Sequence, residues 1–254
     1  MILTPNNYHS PEAAECWLSA SAIKRAHRCE ADFFNGAPNE DKSAFIAGHL
    51  FELIVTDDTV GLEQFKTEHP EMYSSRGATV GQLKAEYRDV VECAERVKNQ
   101  PFLMDIIGGA QKQVIMTGTI FGEPIRMMCD LLCHDGSIYD LKSAKNFLRV
   151  WSNLAESYVE WWQEWDYPMQ LWIYREIARQ NGINPPHVGL IGASKSNYDI
   201  QAIEFSDDVL THAKADVAYT IGRIKAIKSG DVPIRCECCQ HCIETKIIKE
   251  FEIV

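Results

Sequence analysis

The spacing of apolar residues divides the chain into a helical first part and a mixed second part. Over residues 1–110, apolar side chains recur every three to four positions, which is the period of a helix with one buried face. Four helices are predicted there: 18–35, 41–56, 79–99 and a short one from Pro101 to Gly109. The segment 57–78 contains Pro70 and Gly77, and we expect it to be a loop-rich connection.

After residue 111 the pattern changes to the alternation that is typical of strands. Gln113–Ile120 alternates, turns at Phe121–Glu123 and leads into a hairpin whose turn is His-Asp-Gly, so that three strands form an antiparallel meander. The elements predicted after the meander are a helical stretch through Tyr158, a helix with Pro168 in its first turn, strands at 187–194 and 198–205, and a helix at 206–229.

The order of these elements predicts one mixed domain. The chain has 254 residues, 46% of them hydrophobic, which is ample for a single globular core. Helices followed by antiparallel strands, a helix and more strands indicate an α/β (α+β) fold with a mixed central sheet flanked by helices. We expect a helical part (1–110), a core (111–205) and a C-terminal helix with a cysteine cluster (206–254).

Two aspartates and a lysine in the predicted hairpin are the main candidate site. Asp130 precedes the turn, whereas Asp140 and Lys142 follow it two positions apart and therefore share one face of a strand. The hairpin can bring Asp130 to that face. Two carboxylates suit Mg²⁺, which keeps several waters and binds phosphate oxygens, and a lysine can position water or share charge on phosphorus. The alternative is a surface hairpin whose polar residues face water.

Two helices carry polar residues that could face this site. His49 and Glu52 are three positions apart and therefore neighbours; His49 is a candidate metal ligand whose ring Glu52 would orient. The alternative is a histidine–glutamate pair at the edge of the core. On the later helix, Gln170 and Tyr174 share a face, with Tyr167 three positions earlier. This edge could donate hydrogen bonds to a phosphate, or be the ordinary polar edge of an amphipathic helix.

A dense group of cysteines lies near the C-terminus: Cys236, Cys238, Cys239 and Cys242. Cys236, Cys239 and Cys242 keep a C-x2-C-x2-C spacing, and three such thiolates can bind a zinc ion or an iron–sulfur cluster. The fourth ligand must come from elsewhere, and Cys238, His241 or the distant Cys29 could supply it. Unliganded thiols on a tail are the alternative, and the spacing does not distinguish zinc from iron–sulfur.

Charge and composition limit the class of protein. The net charge of −11 argues against binding nucleic acid through bulk positive charge, so any nucleic-acid contact needs a local basic groove. Candidates for such a groove are Lys24, Arg25, Arg28, Arg126, Lys142, Lys145 and Arg149. No apolar run is long enough to span a bilayer, and we see no signal peptide. With nine cysteines and no secretion signal, we expect a cytoplasmic, reducing location.

The order of these motifs resembles the PD-(D/E)xK nuclease superfamily, over nearly the whole chain. The motifs are an early Cys29, Gly48-His49-x-x-Glu52, Asp130, Asp140-Leu141-Lys142 and Gln170-x-x-x-Tyr174. Within the superfamily the chain is similar to RecE-like phage and prophage exonucleases and to related RecB-type nuclease domains. It departs from the pattern in two places. No proline precedes Asp130, and Gln113 stands where many relatives have a glutamate, so we give Gln113 no metal role.

The resemblance implies a restriction-endonuclease-like core and a role for each matching residue. Catalysis would fall to Asp130, Asp140 and Lys142. The ligands implied for Mg²⁺ or Mn²⁺ are His49, Asp130, Asp140 and the backbone carbonyl of Leu141. The implied substrate contacts are Gln170, Tyr174 and, on the same helix, Tyr167. Some RecB-like relatives also carry a 4Fe-4S cluster held by one early and three late cysteines, a pattern matched by Cys29, Cys236, Cys239 and Cys242.

The activity that the resemblance implies is 5′→3′ digestion of double-stranded DNA from an end, which leaves a 3′ overhang for recombination by a RecT-like single-strand annealing protein. It also implies a homo-oligomer and a phage or prophage origin in a bacterial cytoplasm, without a membrane partner. Two alternatives stay open among nucleases: a RecB-like enzyme that prefers single strands, and a nuclease of CRISPR adaptation. A third alternative is a non-catalytic module that binds DNA ends or a protein.

Overall fold

The computed structural model describes residues 1–37 and 42–248, so predicted positions 41 and 249–254 lie outside the described residues. The α-helices are α1 (Pro11–Cys16), α2 (Ala20–Arg28), α3 (Glu30–Asn35), α4 (Lys42–Val55), α5 (Thr59–Glu68), α6 (Ala85–Lys98), α7 (Pro101–Gly109), α8 (Trp161–Glu164), α9 (Tyr167–Gln180), α10 (Asp207–Lys228) and α11 (Gln240–Glu244). Two short 3-10 helices lie at Pro70–Met72 and Gly77–Thr79. None of the helices in the described ranges combines the length and apolar composition needed to cross a bilayer.

The strands form a six-stranded mixed sheet and a separate two-stranded one. They are β1 (Leu18–Ser19), β2 (Gln111–Ile120), β3 (Glu123–Leu132), β4 (Ile138–Ala144), β5 (Val150–Ser152), β6 (Ser157–Val159), β7 (Val188–Ser194) and β8 (Ile200–Glu204). The main sheet runs β1-β3-β4-β7-β8, with β2 also paired to β3, and β5 pairs with β6. The predicted meander β2-β3-β4 and the mixed-sheet fold class are confirmed.

The sheet forks along β3, and this fork positions the candidate site. A strand has two hydrogen-bonding edges, and β2 occupies one edge of β3 along its length. The other edge is shared: β1 pairs with Ile125 and Arg126, and β4 pairs only with Leu131 and Leu132. Beyond Leu131, β4 leaves β3 and runs parallel to β7. Asp130 therefore lies at the point where the two strands separate.

Helices cover both faces of the sheet. One apolar cluster joins α2, α9 and α10 to side chains that include Val188 and Leu190 of β7. A second cluster joins α4, α6 and α7 to the next side chains of that strand, Ile191 and Ala193. Full burial of a large aliphatic side chain contributes about 1.5–3 kcal/mol. Because successive strand residues face opposite ways, both clusters together fix the register of the strands that carry the site.

The helix predicted over 18–35 is wrong as one element. Leu18–Ser19 is a short strand, and the helix is interrupted at Cys29, whose backbone is extended (φ −160°, ψ 109°). The Cys29 sulfur accepts the amide hydrogen of Asp32 at 3.3 Å, so Cys29 caps α3 instead of lying within a helix.

Other differences concern the segments between the predicted elements. The connection 57–78 contains helix α5, and the helix predicted from 79 begins at Ala85. The helical stretch predicted through Tyr158 is wrong: it is the hairpin β5-β6, in which Trp151 lies opposite Tyr158. Aromatic and β-branched residues favour strands when they pair across a hairpin. The four elements from Pro168 to residue 229 agree with the predictions within one or two residues.

Candidate active site

Asp130 and Asp140 come together at the fork of the sheet. The register Leu131↔Tyr139 would place Asp130 opposite Asp140, but the strands separate there, and the Asp130 carboxylate fills the gap. Its Oδ2 accepts the backbone N–H of Leu141 at 2.7 Å. Burial, followed by repulsion from Asp140, holds the pKa of Asp130 well above its ordinary value. The two acids therefore form one site that favours an added positive charge.

Lys142 supplies part of that charge. Its ammonium pairs with the carboxylate of Asp140, and Asp140 is buried, with 1% of its surface exposed. Burial works to lower the pKa of Lys142, but Asp140 and Asp130 outweigh burial and raise the pKa above its ordinary value. The ring of Tyr167 lies 5.5 Å from the ammonium. Lys142 therefore remains a cation and could not act as a proton acceptor near neutral pH.

Glu52, and not His49, belongs to this group of charges. Asp140 and Lys142 both act on the pKa of Glu52, which burial raises, and Glu52 in turn raises the pKa of Asp130. The Glu52 Oε1 accepts a hydrogen bond from Gln113 Nε2 at 2.8 Å, and the predicted role of Glu52 in orienting His49 stays a prediction. We call Glu52, Asp130, Asp140 and Lys142 the acid centre.

His49 lies in different surroundings, among aromatic rings. Its ring centroid is 4.7 Å from Phe65 and 6.0 Å from Phe45. Burial lowers its pKa, His69 and His9 lower it further, and Asp58 and Glu68 act in the opposite direction. The described contacts of His49 are with these aromatic rings, and its role as a metal ligand stays a prediction. Since His49 and Glu52 lie one turn apart on the predicted helix, the sequence alone is compatible with either residue as the one that faces the aspartates.

Gln113 has an unusual backbone as well as a contact with Glu52. Its φ is +49°, in the left-handed region that residues other than glycine rarely adopt. It lies on β2 across from Asp130, and this is the one position inside the β2–β3 ladder without a paired partner. The structure therefore gives Gln113 a contact that holds Glu52 in position.

The polar edge of α9 faces the acid centre, as predicted, but its groups are already bonded within the protein. Gln170 Nε2 donates to Asp140 Oδ2 at 2.9 Å and to the Tyr174 hydroxyl at 3.3 Å. The Tyr174 hydroxyl donates to the carbonyl of Met128 at 3.1 Å, and this ring is 7% exposed. Gln170 therefore holds Asp140 in place and Tyr174 supports Gln170, while a contact of either residue with substrate stays a prediction.

Lys24, predicted only as a residue of a basic groove, also contacts the residues around the acid centre. Its ammonium donates to Gln170 Oε1 at 2.9 Å and lies 4.7 Å from the centre of the Tyr167 ring. Burial, and then the nearby charge of Lys142, lowers the pKa of Lys24 to about 7. In the sequence, Lys24 and Arg28 are four positions apart, and this spacing places both cations on one face of α2.

A groove of about 700 Å³ opens beside Lys24. Lys24 and Arg28 line it together with the rings of Trp165 and Tyr167. The guanidinium carbon of Arg28 lies 5.0 Å from the Trp165 ring, and Arg28 Nε bonds to Asp166 at 2.9 Å. A groove with two cations, the exposed Trp165 ring and the partly buried Tyr167 ring therefore adjoins the acid centre.

Three other predicted groove residues have different surroundings. Arg126 is only 6% exposed and lies over the Tyr8 ring, so the structure places it in the interior. Arg25 lines the groove but is paired with Asp32 at 2.6 Å. Arg149 pairs with Glu160 at 3.4 Å, beside the β5-β6 hairpin. The positive side of the groove therefore consists mainly of Lys24 and Arg28.

The cysteines form a second group, apart from the acid centre. The sulfur atoms of Cys29, Cys236, Cys239 and Cys242, here called the thiol cluster, all lie within 4.8 Å of one another. Of the three candidates for the fourth position, the structure brings Cys29 into the cluster. Cys238 is exposed and lies outside it.

Comparison with known proteins places this geometry in a family context. Residues 19–245 match a family model described as PDDEXK-like domain of unknown function (DUF3799). Among solved structures, the chain is similar to a "Putative exonuclease" from Eubacterium rectale, with 30% identity and a TM-score of 0.83 over 100% of this chain and 97% of that chain. A structure of SSO0001 aligns with 9% identity and a TM-score of 0.30 over 78% and 83%, which is too low to support an argument. None of the curated proteins matches the chain.

Proposed function

We propose that this chain, which belongs to the family of PDDEXK-like domains of unknown function (DUF3799), is a nuclease that digests DNA from an end with the help of a divalent cation. Membership agrees with the PD-(D/E)xK resemblance and with the restriction-endonuclease-like fold class. The observation that carries the proposal is the Asp130 carboxylate, bonded to the Leu141 amide at the fork, beside the Asp140–Lys142 pair.

The donor set of the acid centre fits a hard divalent cation. Glu52, Asp130 and Asp140 offer carboxylate oxygens, which Mg²⁺ and Mn²⁺ prefer. Burial is the main cause of the raised pKa values of Glu52 and Asp130; Asp140 raises both further and Lys142 lowers both. A bound cation would reduce the repulsion between these carboxylates. Asp130 and Asp140 would hold the ion together with the Leu141 carbonyl. The candidates for a further ligand are Glu52 and His49 on α4. When bound, such an ion stabilises charge on a phosphate and lowers the pKa of a coordinated water.

The side chains around the carboxylates have supporting roles in the proposed reaction. Lys142 keeps its positive charge and can stabilise the charge that develops on the phosphate, or orient the attacking water. Gln170 holds Asp140 in position, and Gln113 holds Glu52. Because these contacts already exist within the protein, the carboxylates require little rearrangement to reach a productive geometry.

The groove beside Lys24 is the proposed path of the DNA strand. Lys24 and Arg28 can contact phosphates, while the rings of Trp165 and Tyr167 can stack on unpaired bases. A local cationic groove of this kind would allow DNA binding despite the net charge of −11. The groove adjoins the acid centre through Lys24 and Tyr167, so a strand lying in it would bring a phosphodiester to the carboxylates.

For substrate and direction, we propose double-stranded DNA ends digested 5′→3′. Support comes from the resemblance to RecE-like exonucleases and from the similarity to the Eubacterium rectale protein that is described as an exonuclease. The proposal extends to a homo-oligomer that works beside a single-strand annealing protein. These finer assignments rest on resemblance, whereas the general nuclease assignment also rests on the acid centre.

Digestion of end-labelled linear duplex with and without Mg²⁺ tests the proposal. We expect Mg²⁺-dependent release of the 5′-terminal nucleotide, no cutting of closed circular DNA and no release by an Asp140→Asn variant. Faster release from single strands would favour the RecB-like alternative, and cutting of closed circles would favour an endonuclease. DNA binding without any Mg²⁺-stimulated release would contradict the enzyme and favour a non-catalytic module.

A further inference from the structure

The thiol cluster joins two distant parts of the chain. The Cys29 sulfur lies 3.5 Å from that of Cys242, and the Cys236 sulfur lies 3.9 Å from Cys242. Cys29 and Cys242 are buried, and the other two are partly buried. Within residues 1–37 and 42–248, it is also the only group of three or more histidine, cysteine or acidic side chains with this compact metal-ligand geometry.

The sulfur–sulfur distances indicate how many metal atoms the cluster can hold. Four thiolates around one zinc ion, with Zn–S bonds of about 2.3 Å, form a tetrahedron whose edges are about 3.8 Å. In a four-iron cluster, each thiolate binds a different iron, so the sulfur atoms must lie farther apart than they do around one ion. All four sulfur atoms lie within 4.8 Å of one another, and two of the distances are 3.5 Å and 3.9 Å, so the size of the cluster is closer to that of a single-ion site.

We propose that the thiol cluster binds one zinc ion through four thiolates, and that it does not hold the 4Fe-4S cluster that the resemblance to RecB-type domains implies. Four protein ligands complete the tetrahedron and leave no position for water or substrate. A closed site of this kind is structural, in contrast to catalytic zinc sites, which keep an open position.

Backbone amides around the cluster are arranged to stabilise thiolates. The N–H groups of Asp32, Cys239 and Cys242 donate to the sulfurs of Cys29, Cys236 and Cys239 at 3.3, 3.2 and 3.4 Å, respectively. The Arg235 guanidinium donates to the Cys242 carbonyl and brings a positive charge to a site where four thiolates and one zinc ion carry a net charge of −2. Donors of this kind around metal ligands fix their orientation.

The zinc ion would fasten the C-terminal segment to the first helices. Before the cluster, Ala31 N–H donates to the Ile234 carbonyl at 3.0 Å, and Ile234 N–H donates to Glu30 at 2.8 Å. These contacts already place the segment beside α3, and the metal would close the connection. Because metal binding by ligands brought together in the folded state contributes to folding free energy, loss of the ion should destabilise the whole chain.

Metal analysis of the full chain tests the identity of the ion. Protein purified without oxygen, from cells supplied with both zinc and iron, is expected to contain about one zinc per chain and no acid-labile sulfide. An Asp140→Asn variant should contain the same amount, because the acid centre is a separate site. Iron with matching acid-labile sulfide would overturn the proposal, as would protein free of both metals.

A pair of serine variants tests which thiols bind. Cys239→Ser should lose the zinc and melt more than about 5 °C below wild type. Cys238→Ser, in the neighbouring exposed residue, should keep both the zinc and the melting temperature. Replacing the zinc by Co²⁺ should give the visible absorption of tetrahedral cobalt thiolate in wild type and in Cys238→Ser. Equal zinc content in the two variants, or octahedral cobalt in wild type, would contradict the four-thiolate site.

Discussion

The acid centre and the thiol cluster gather potential metal ligands from different distances along the chain. Asp130, Asp140 and Lys142 lie on adjacent strands joined by one turn, and only Glu52 comes from farther away. The thiol cluster instead joins Cys29 to residues more than two hundred positions later. The hairpin brings its acids together by local pairing, whereas the cysteines meet only when the first and last helices pack.

The two groups also differ in chemistry. The acid centre offers hard oxygens and contains a competing lysine, and Lys24 and Tyr167 lie between it and the groove. The thiol cluster offers four soft sulfurs in a compact group. The comparison teaches that the type of ligand atom, and whether the protein fills every coordination position, separate the proposed catalytic metal site from the proposed structural one.

The largest expected effect is on the acid centre. Asp140→Asn should lower the rate of DNA cleavage by about a hundredfold or more, because it removes a charged metal ligand and the partner of Lys142. Zinc content should not change. The measurement is kcat on linear duplex at saturating Mg²⁺, and a rate within threefold of wild type would remove Asp140 from the catalytic site.

Glu52 and His49 offer a matched pair on one helix. Glu52→Gln should lower cleavage on the order of tenfold to a hundredfold and raise the Mg²⁺ concentration needed for half-maximal rate, because Glu52 shares the charge environment of Asp130. His49→Gln should change the rate less than about threefold. A larger loss for His49→Gln than for Glu52→Gln would restore the histidine as the metal ligand.

The ion pair beside the thiol cluster should affect stability and not catalysis. Glu30 is 8% exposed and accepts hydrogen bonds from both ends of the Arg223 guanidinium, at 2.8 and 2.9 Å. Glu30→Gln should lower the melting temperature at pH 7 by about 3–5 °C, with DNA cleavage preserved. Thermal melts measure the stability, and the cleavage assay measures the activity. A loss of cleavage without a loss of stability would contradict a purely structural role for Glu30.

The pH dependence of this variant follows from the pKa of Glu30. The Arg223 hydrogen bonds lower the pKa of Glu30 below its ordinary 4.5, despite partial opposition from burial. The charged pair therefore stabilises the fold above pH 4.5, and this stability is lost as the pH falls through the folded-state pKa. The difference between wild type and Glu30→Gln should shrink in that acid range, and a difference that grows there would contradict the assignment.

The smallest expected effect is on DNA binding through Lys24. Lys24→Met should weaken DNA binding about tenfold, because it removes a cation from the groove, while the exposed Lys214→Met on α10 serves as control. Since the pKa of Lys24 is about 7, its charge is lost as the pH rises through that value. Binding measured from about pH 6 to pH 8 should show the effect of Lys24→Met shrinking. If Lys24→Met weakened DNA binding equally at pH 6 and at pH 8, Lys24 would not lose its charge in this pH range.

Local patterns in the sequence were sufficient for the strands and for the central acids. A turn that requires glycine at φ +91°, Gly136, follows the strand of Asp130 and precedes that of Asp140, so the pairing of β3 and β4 could be predicted without knowledge of other elements. The helical period likewise predicted α4, α7, α9 and α10. The failures were short elements, such as β5 and β6, whose structure depends on pairing with each other.

What the sequence by itself determined, then, is the hairpin with Asp130, Asp140 and Lys142 and the regular spacing of three late cysteines, because both depend on neighbours along the chain. Tertiary structure decided that Glu52, on helix α4, interacts with the charges of Asp130, Asp140 and Lys142. It also decided that Gln170 bonds to Asp140 and that Cys29 is the fourth member of the thiol cluster. These contacts join elements far apart in the chain, and their geometry is fixed only when the helices pack on the sheet.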